Sequence, residues 1–114
     1  MKKTEIFDLI LSVVSDECEV RTEIILDGNE HRPAVVDARM LLVQYLRRVG
    51  LENEDIALII FRKRGVEFPE SRELKSRAKS ISRMFRSYND RCMQSKTFCS
   101  MSADIAKFVK ENFY

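Results

Sequence analysis

The chain has 114 residues and a formal net charge of +2, with three glycines, two prolines and no tryptophan. That length supports one hydrophobic core but not two. The chain contains no run of about eighteen apolar residues, which a membrane-spanning helix would need. Because glycine and proline are scarce and the apolar residues recur at helical spacing, disorder and sheet are disfavoured. We predict one compact all-α domain of about six helices over residues 1–114.

The N-terminal quarter of the chain contains the first two predicted helices. Apolar residues recur there at intervals of three and four from Ile6 to Val14, which predicts an amphipathic helix over residues 4–15. A short second helix is expected over residues 22–26. The Asp27-Gly28-Asn29 sequence that follows is typical of a helix end and a turn.

The third helix is expected to form the centre of the domain. It begins at Arg32 or Pro33, because proline is tolerated in a first helical turn, and it ends at Gly50. Its apolar residues extend most of the way round the helix, which indicates packing against several neighbours. A fourth helix is predicted over residues 56–61, with Asn53 as its N-cap.

A basic turn follows the fourth helix, and glycine and proline within residues 62–69 prevent that helix from continuing. The fifth helix is predicted to begin near Glu70 and to have two faces. One is an apolar seam composed of Leu74, Ala78, Ile81, Phe85 and Tyr88, and the other is a cationic stripe composed of Arg72, Lys75, Lys79, Arg83 and Arg86. The two sets lie more than a quarter-turn apart, so one can be buried while the other contacts a partner.

The C-terminal segment is predicted to close the core. Residues 89–95 are expected to form a loop, and Ser102 is expected to cap a last helix that runs to Asn112. The aromatic residues of this segment are Phe98, Phe108, Phe113 and Tyr114. At helical spacing such residues are typical of a core, although they could also form an apolar patch for a homodimer.

Charge is distributed unevenly along the chain. Residues 1–61 have 7 basic and 12 acidic side chains, whereas residues 62–96 have 11 basic and 4 acidic ones, a local net charge of +7. A surplus of this size attracts polyanions, and with the helix pair it predicts a helix-turn-helix that binds double-stranded DNA, over about residues 54–88. Arg72 and Lys75 are expected nearest the base edges, and the expected phosphate contacts are Arg62, Lys63, Arg64, Lys79, Arg83 and Arg86.

The sequence contains no motif typical of an enzyme. His31 is the only histidine, and there is no Gly-rich phosphate loop, nucleophile elbow or His-Glu-x-x-His zinc motif. Cys18, Cys92 and Cys99 are odd in number and widely spaced, so neither a disulfide framework nor a zinc site is predicted. The N-terminal residues do not lead into an apolar signal core. We therefore expect a cytoplasmic binding protein without catalysis, cofactor, metal or small-molecule substrate.

Three stretches of the sequence occur in a recognisable order. They are Ile6–Ile10 with Cys18–Leu26, Val35–Arg47 with its Ala38-Arg39 pair, and Gly50–Ala57. This order resembles the C-terminal DNA-binding domain of the bacterial replication initiator DnaA, a Trp-repressor-like helix-turn-helix fold. The resemblance extends from Glu5 to about Ile81, and its middle stretch is the most specific. It implies a bacterial, nucleoid-associated protein that binds duplex DNA.

The resemblance also implies particular contacts. In that family a basic loop before the central helix touches the minor groove, which by position implies that role for His31 and Arg32. The shared Ala-Arg pair adds Arg39 as a candidate contact. The family's recognition helix opens with a base-reading Asp-His-[Ser/Thr]-Thr-Val motif, but these positions hold Glu70-Ser71-Arg72-Glu73 here, after a longer turn. Ser71 therefore joins Arg72 as a candidate contact, and binding of the initiator's own DNA box is not expected.

A second function class remains open on the sequence alone. A protein-interaction adaptor could keep an initiator-like fold, lose DNA binding and use the cationic stripe on an acidic protein partner. The altered recognition motif favours this alternative. The initiator's nucleotide-hydrolysing module is not among these residues, so DNA melting driven by ATP is not expected under either hypothesis.

Overall fold

Six α-helices and the short segments between them make up the computed structural model, which describes residues 1–114 and contains no strand. The helices are α1 Lys3–Cys18, α2 Thr22–Leu26, α3 Pro33–Arg48, α4 Asn53–Lys63, α5 Ser71–Gln94 and α6 Lys96–Phe113. The radius of gyration is 13.3 Å, which is close to the value expected for one compact domain of about 100 residues. The predicted all-α bundle is confirmed. None of the six helices combines the length and the apolar character that crossing a bilayer requires.

α3 lies at the centre of the bundle and packs against all five other helices. Its buried residues include Leu41, Leu42, Tyr45 and Leu46. Pro33 is its first residue, as predicted, because a first-turn residue has no intrahelical acceptor for an N–H. The helix ends before Gly50, whose φ of +105° is a left-handed conformation that glycine adopts without strain.

α1 and α2 pack on one side of α3. α1 extends beyond the predicted 4–15 range at both ends and ends at Cys18, before Glu19, whose backbone is left-handed. The Ser15 hydroxyl donates to the Val20 carbonyl oxygen at 2.6 Å and closes the turn that follows. α2 has the predicted bounds. The backbone N–H of Asn29 then donates to the Asp27 side chain at 2.9 Å, an Asx turn that leads away from α2.

α4 is longer than predicted, and its N-cap is Glu52 rather than Asn53. The prediction of an Asn53 cap is therefore wrong. The side chain of Asp55 accepts the backbone N–H of Glu52 at 3.0 Å, as in a capping box. This hydrogen bond satisfies a backbone donor that has no acceptor within the helix, so the helix starts earlier than the apolar run alone indicates.

α5 continues to Gln94, through the segment that was predicted to be a loop. The prediction of a loop at residues 89–95 is therefore wrong. Two residues beyond Tyr88 explain the continuation: Arg91 forms an ion pair with Asp37 of α3, and Cys92 packs against the core. Ser95 alone separates α5 from α6. Its hydroxyl accepts the backbone N–H of Phe98 at 3.1 Å and caps α6.

Ser102 is buried inside α6 and does not cap it, so the predicted start of the last helix is also wrong. Its hydroxyl oxygen lies 2.7 Å from the hydroxyl of Tyr45 and also hydrogen-bonds to the hydroxyl of Tyr88. The Tyr45 hydroxyl is 2.8 Å from the carbonyl oxygen of Ser102, to which it donates. This buried network joins α3, α5 and α6, and it supplies partners for polar groups that would otherwise be unpaired.

The C-terminal aromatic residues contribute mainly to the core. Phe98 is fully buried, and Phe108 and Phe113 are partly buried against the core cluster. Tyr114 is exposed, and its hydroxyl donates to the carbonyl oxygen of Arg48 at 3.1 Å. These four residues therefore do not form the exposed apolar patch that dimerisation through them would need.

Candidate nucleic-acid interface

The outer face of α5 presents the cationic stripe to solvent. All five of its side chains are exposed. The ion pairs of the chain involve other residues, so no carboxylate of the domain neutralises these charges. None of the five side chains donates a hydrogen bond within the protein. Their charges are therefore available to an external anion.

The opposite face of α5 explains why the cationic stripe points outward. Ile81 and Tyr88 are buried, Leu74 and Phe85 are partly buried against the core cluster, and Ala78 is partly buried. Burial of this seam fixes the rotation of the helix about its axis, because exposing it would return apolar surface to water. The predicted division of α5 into a packed face and a cationic face is confirmed.

The dimensions of the cationic stripe suit a linear polyanion. At 1.5 Å per residue, the fourteen residue steps from Arg72 to Arg86 correspond to about 21 Å along the helix axis. Exposed Ser76 flanks the stripe and can donate a hydrogen bond, whereas the Ser87 hydroxyl donates to the carbonyl oxygen of Arg83 at 3.0 Å. Asp90, one turn after Arg86, ends it. The surface is thus a continuous row of cations with polar flanks.

The basic turn contributes fewer available charges than its sequence indicates. Lys63 pairs with Asp8 of α1, with Nζ and Oδ1 2.6 Å apart, and it lies over the ring of Phe7. Arg64 donates from Nε to the carbonyl oxygen of Leu26 at 2.6 Å. Arg62 is exposed and has no ion pair. Of the three predicted turn contacts, Arg62 therefore has the least engaged side chain.

The connection between α4 and α5 runs from residue 64 to residue 70. The backbone N–H of Val66 donates to the carbonyl oxygen of Phe61 at 2.9 Å and closes the end of α4. Gly65 has a φ of +89°, which this turn requires and glycine permits. Beyond it, Phe68 is 84% exposed at the start of α5. Phe68 was not among the predicted contacts, because exposure of an aromatic residue in a loop has no periodic signal.

The loop before α3 contains the other predicted contacts. His31 and Arg32 are exposed, and Arg32 pairs with its neighbour Glu30 at 2.8 Å. Arg39 is partly buried and donates to the carbonyl oxygen of Ile25 at 2.7 Å, and also to those of Ile24, Asp27 and Glu30. Burial lowers the pKa of its guanidinium, against the raising effect of the nearby carboxylates. Arg39 therefore holds the α2–α3 loop in place.

Asp37 of α3 accepts two hydrogen bonds from Arg91, both at 2.9 Å. Arg77 was not among the predicted contacts. It lies over the ring of Phe61, with its guanidinium carbon 5.9 Å from the ring centre. Its spacing from Leu74 and Ile81 places it beside the apolar seam, and a charge at that position was the available signal.

Ligand-forming side chains do not cluster elsewhere. No three or more His, Cys, Asp or Glu side chains come close enough together to hold a metal ion. The three cysteines are unpaired, and burial is the main cause that raises the pKa of the Cys18 thiol to about 11.

In the comparisons with known proteins, no family model, no curated protein and no solved structure matches this chain.

Proposed function

We propose that this domain binds double-stranded DNA through α5, in a role that involves no catalysis. The observation that carries the proposal is the exposed cationic stripe, five side chains without an internal ion pair on the face opposite the core. Lysine and arginine that neutralise phosphates release condensed counterions, and this supplies most of the sequence-independent affinity for DNA.

In the proposed complex α4 and α5 act as a helix-turn-helix, with α5 in the major groove and α4 bracing it. A B-form major groove about 12 Å wide admits an α-helix. Arg72 and Lys75, near the start of α5, contact base edges with Ser71 beside them. The remaining contacts are to phosphates, from Arg62, Lys79, Arg83 and Arg86. Arg39 makes no contact with DNA in this complex, because its donors are occupied within the protein.

The order of helices and the basic fifth helix agree with the resemblance to the initiator DNA-binding domain. We therefore propose an initiator-like or regulatory DNA-binding role. The residues at the base-reading positions, Glu70-Ser71-Arg72-Glu73, differ in side-chain chemistry from that family's motif. Because each base pair displays its own pattern of donors and acceptors, different side chains select a different sequence.

A fluorescence anisotropy titration with a random-sequence duplex tests the proposal, at about 50 mM and about 200 mM salt. The four phosphate contacts predict a slope of log K against log salt of about −3.6. Replacing Lys79 and Arg83 with alanine should weaken binding and reduce the slope by about two. The matched control replaces Lys107 and Lys110, two exposed lysines of α6, and should change neither quantity. No measurable binding at the lower salt, or equal effects of the two variants, would overturn the proposal.

A protein-interaction role is the second candidate, and exposed Phe68 favours it. An aromatic side chain that is 84% exposed beside a row of cations is typical of an anchor for a partner with an apolar pocket and an acidic rim. The same titration separates the two functions. Absence of duplex affinity at low salt favours the protein partner, whereas steep salt dependence in both wild type and Phe68→Ala favours DNA.

A further inference from the structure

A depression lies between α2, the loop that follows it, and the inward flank of α5. It consists of two adjoining cavities of about 510 Å³ and about 240 Å³. The residues that line both are Leu26, Gly28, Arg64 and Arg77. The larger cavity is polar and open, and the smaller one is more enclosed.

The smaller cavity has apolar walls formed by the core elements. Leu42 and Val43 of α3, Ile60 of α4 and Met84 of α5 line it. Apolar walls with a few polar groups at the mouth are typical of sites that bind small molecules. An apolar group of a ligand that entered here would leave water without displacing any side chain of the core.

Two guanidinium groups at the mouth have hydrogen-bond donors without a partner. Arg64 uses Nε on the carbonyl oxygen of Leu26, but its two terminal nitrogens donate to no other group. Arg77 lies over the ring of Phe61 and makes no hydrogen bond or ion pair. An arginine fork with free terminal nitrogens matches the geometry of a carboxylate or a phosphate.

The acidic residues of this region do not neutralise the two guanidinium groups. Glu23 and Asp27 line the larger cavity, and neither forms an ion pair with Arg64 or Arg77; Glu30 pairs with Arg32. Burial lowers the pKa of Arg64, and the neighbouring charges of Arg77 and Arg39 lower it further, against the raising effect of Asp27. The mouth of the pocket thus has an excess of positive charge that a bound anion would relieve.

We propose that this pocket binds a small organic anion. Its carboxylate or phosphate head lies between Arg64 and Arg77, and its apolar body occupies the smaller cavity against Leu42 and Met84. Gly28 lies beside this site, and a Cβ at that position would fall 3.1 Å from the Arg64 guanidinium and crowd it. The site depends on no residue of the cationic stripe, so it exists whether or not the domain binds DNA.

Three probes test the proposal by calorimetry on the protein without DNA. Phenyl phosphate has both parts of the proposed ligand, inorganic phosphate has the head alone, and phenol has the apolar body alone. We expect phenyl phosphate to bind at least about tenfold more tightly than either half, since the ring adds buried atoms to the charged contact. Arg77→Gln should abolish the advantage over phenol, because only the phosphate head contacts this guanidinium. Lys107→Gln removes one exposed positive charge from α6 and should leave it unchanged.

A second measurement on the wild-type protein keeps the proposal falsifiable if Arg77→Gln unfolds the domain. Phenyl phosphate should shift the NMR methyl signals of Leu42, Val43 and Met84, and inorganic phosphate should not. Equal affinity for phenyl phosphate and inorganic phosphate, or unshifted methyl signals at saturation, would overturn the proposal. Both readouts are independent of the duplex titration, so this site and the DNA-binding function can fail separately.

Discussion

Arg91 near the end of α5 donates two parallel hydrogen bonds to Asp37 near the start of α3. They run from Nε to Oδ1 and from Nη2 to Oδ2, and each is 2.9 Å long. The hydrogen bond to the carboxylate and its negative charge raise the pKa of the Arg91 guanidinium. Both residues are partly buried, so the pair is shielded more than one on an open surface. It anchors the last turns of α5 to the central helix.

Removing this pair should loosen the end of α5 without affecting the cationic stripe. We expect Asp37→Asn to lower the melting temperature and to speed hydrogen exchange of the backbone amides in residues 89–94. Arg91→Gln should have a similar effect. The double variant should be little worse than either single one, because the two residues act as one contact. Exchange rates equal to those of the wild type would show that α5 persists there without the pair.

The two halves of the cationic stripe should contribute differently to DNA binding. We expect Arg72→Ala with Lys75→Ala to abolish the preferred sequence that is selected from a random duplex pool, because these side chains lie near base edges. Lys79→Ala with Arg83→Ala should weaken binding to all duplexes alike and reduce the salt slope by about two. Unchanged affinity in both double variants would rule out α5 as the DNA-contacting element.

Arg39 should act on stability, since its donors are hydrogen-bonded to backbone carbonyl oxygens of α2 and the loop after it. We expect Arg39→Met to lower the free energy of unfolding by about 1.5–3 kcal/mol in urea denaturation, the usual contribution of hydrogen bonds from a charged group. The control is Arg32→Met, an exposed arginine with a surface ion pair, which should cost about 0–1 kcal/mol. Equal losses would contradict a structural role specific to Arg39.

The hydroxyl of Ser102 should matter through its buried tyrosine partners. Ser102→Ala leaves the hydroxyl of Tyr88 without this partner, and we expect a loss of about 1–3 kcal/mol in the free energy of unfolding. Tyr88→Phe in the Ser102→Ala background removes the unsatisfied hydroxyl and should restore part of that loss. A double variant less stable than Ser102→Ala would mean that Tyr88 has found another partner.

Glu17 of α1 and Asp104 of α6 form a carboxyl pair that should make stability depend on pH. A hydrogen bond with Asp104, partial burial and the negative charge of Asp104 all raise the pKa of Glu17. The folded state therefore holds this proton more tightly than the unfolded state. The resulting stabilisation is complete below the ordinary glutamate pKa of about 4.3 and is lost as pH rises through the raised value.

We expect Glu17→Gln to raise the melting temperature near neutral pH, because the amide removes the charge that faces Asp104. Glu17 is only partly buried, so the gain should be no more than about 1 kcal/mol. Thermal melts of both proteins between about pH 4 and about pH 7 measure the effect, and the difference should shrink toward the acidic end. A constant difference across this range would contradict a shared proton.

Helical periodicity was sufficient to predict much of this fold. Each residue of a helix advances about 100°, so spacing along the sequence translates directly into direction around the axis. The two faces of α5 follow from this local rule, and the end of α2 and the proline start of α3 follow from the equally local chemistry of helix ends. It failed at residues 89–95, where the residues are polar and the helix persists because Arg91 reaches a carboxylate more than fifty positions away.

The sequence by itself determined the helical class, the apolar seam and the position of the cationic stripe, because these depend on neighbours within a few residues. Only the tertiary structure decided which cations stay available. Lys63 and Arg64 have the same charge as the stripe residues, but Asp8 and the Leu26 carbonyl oxygen reach them from distant parts of the chain. The pocket beside Arg77 likewise exists only because α2, α3, α4 and α5 meet there, and spacing within one helix contains no information about such a meeting.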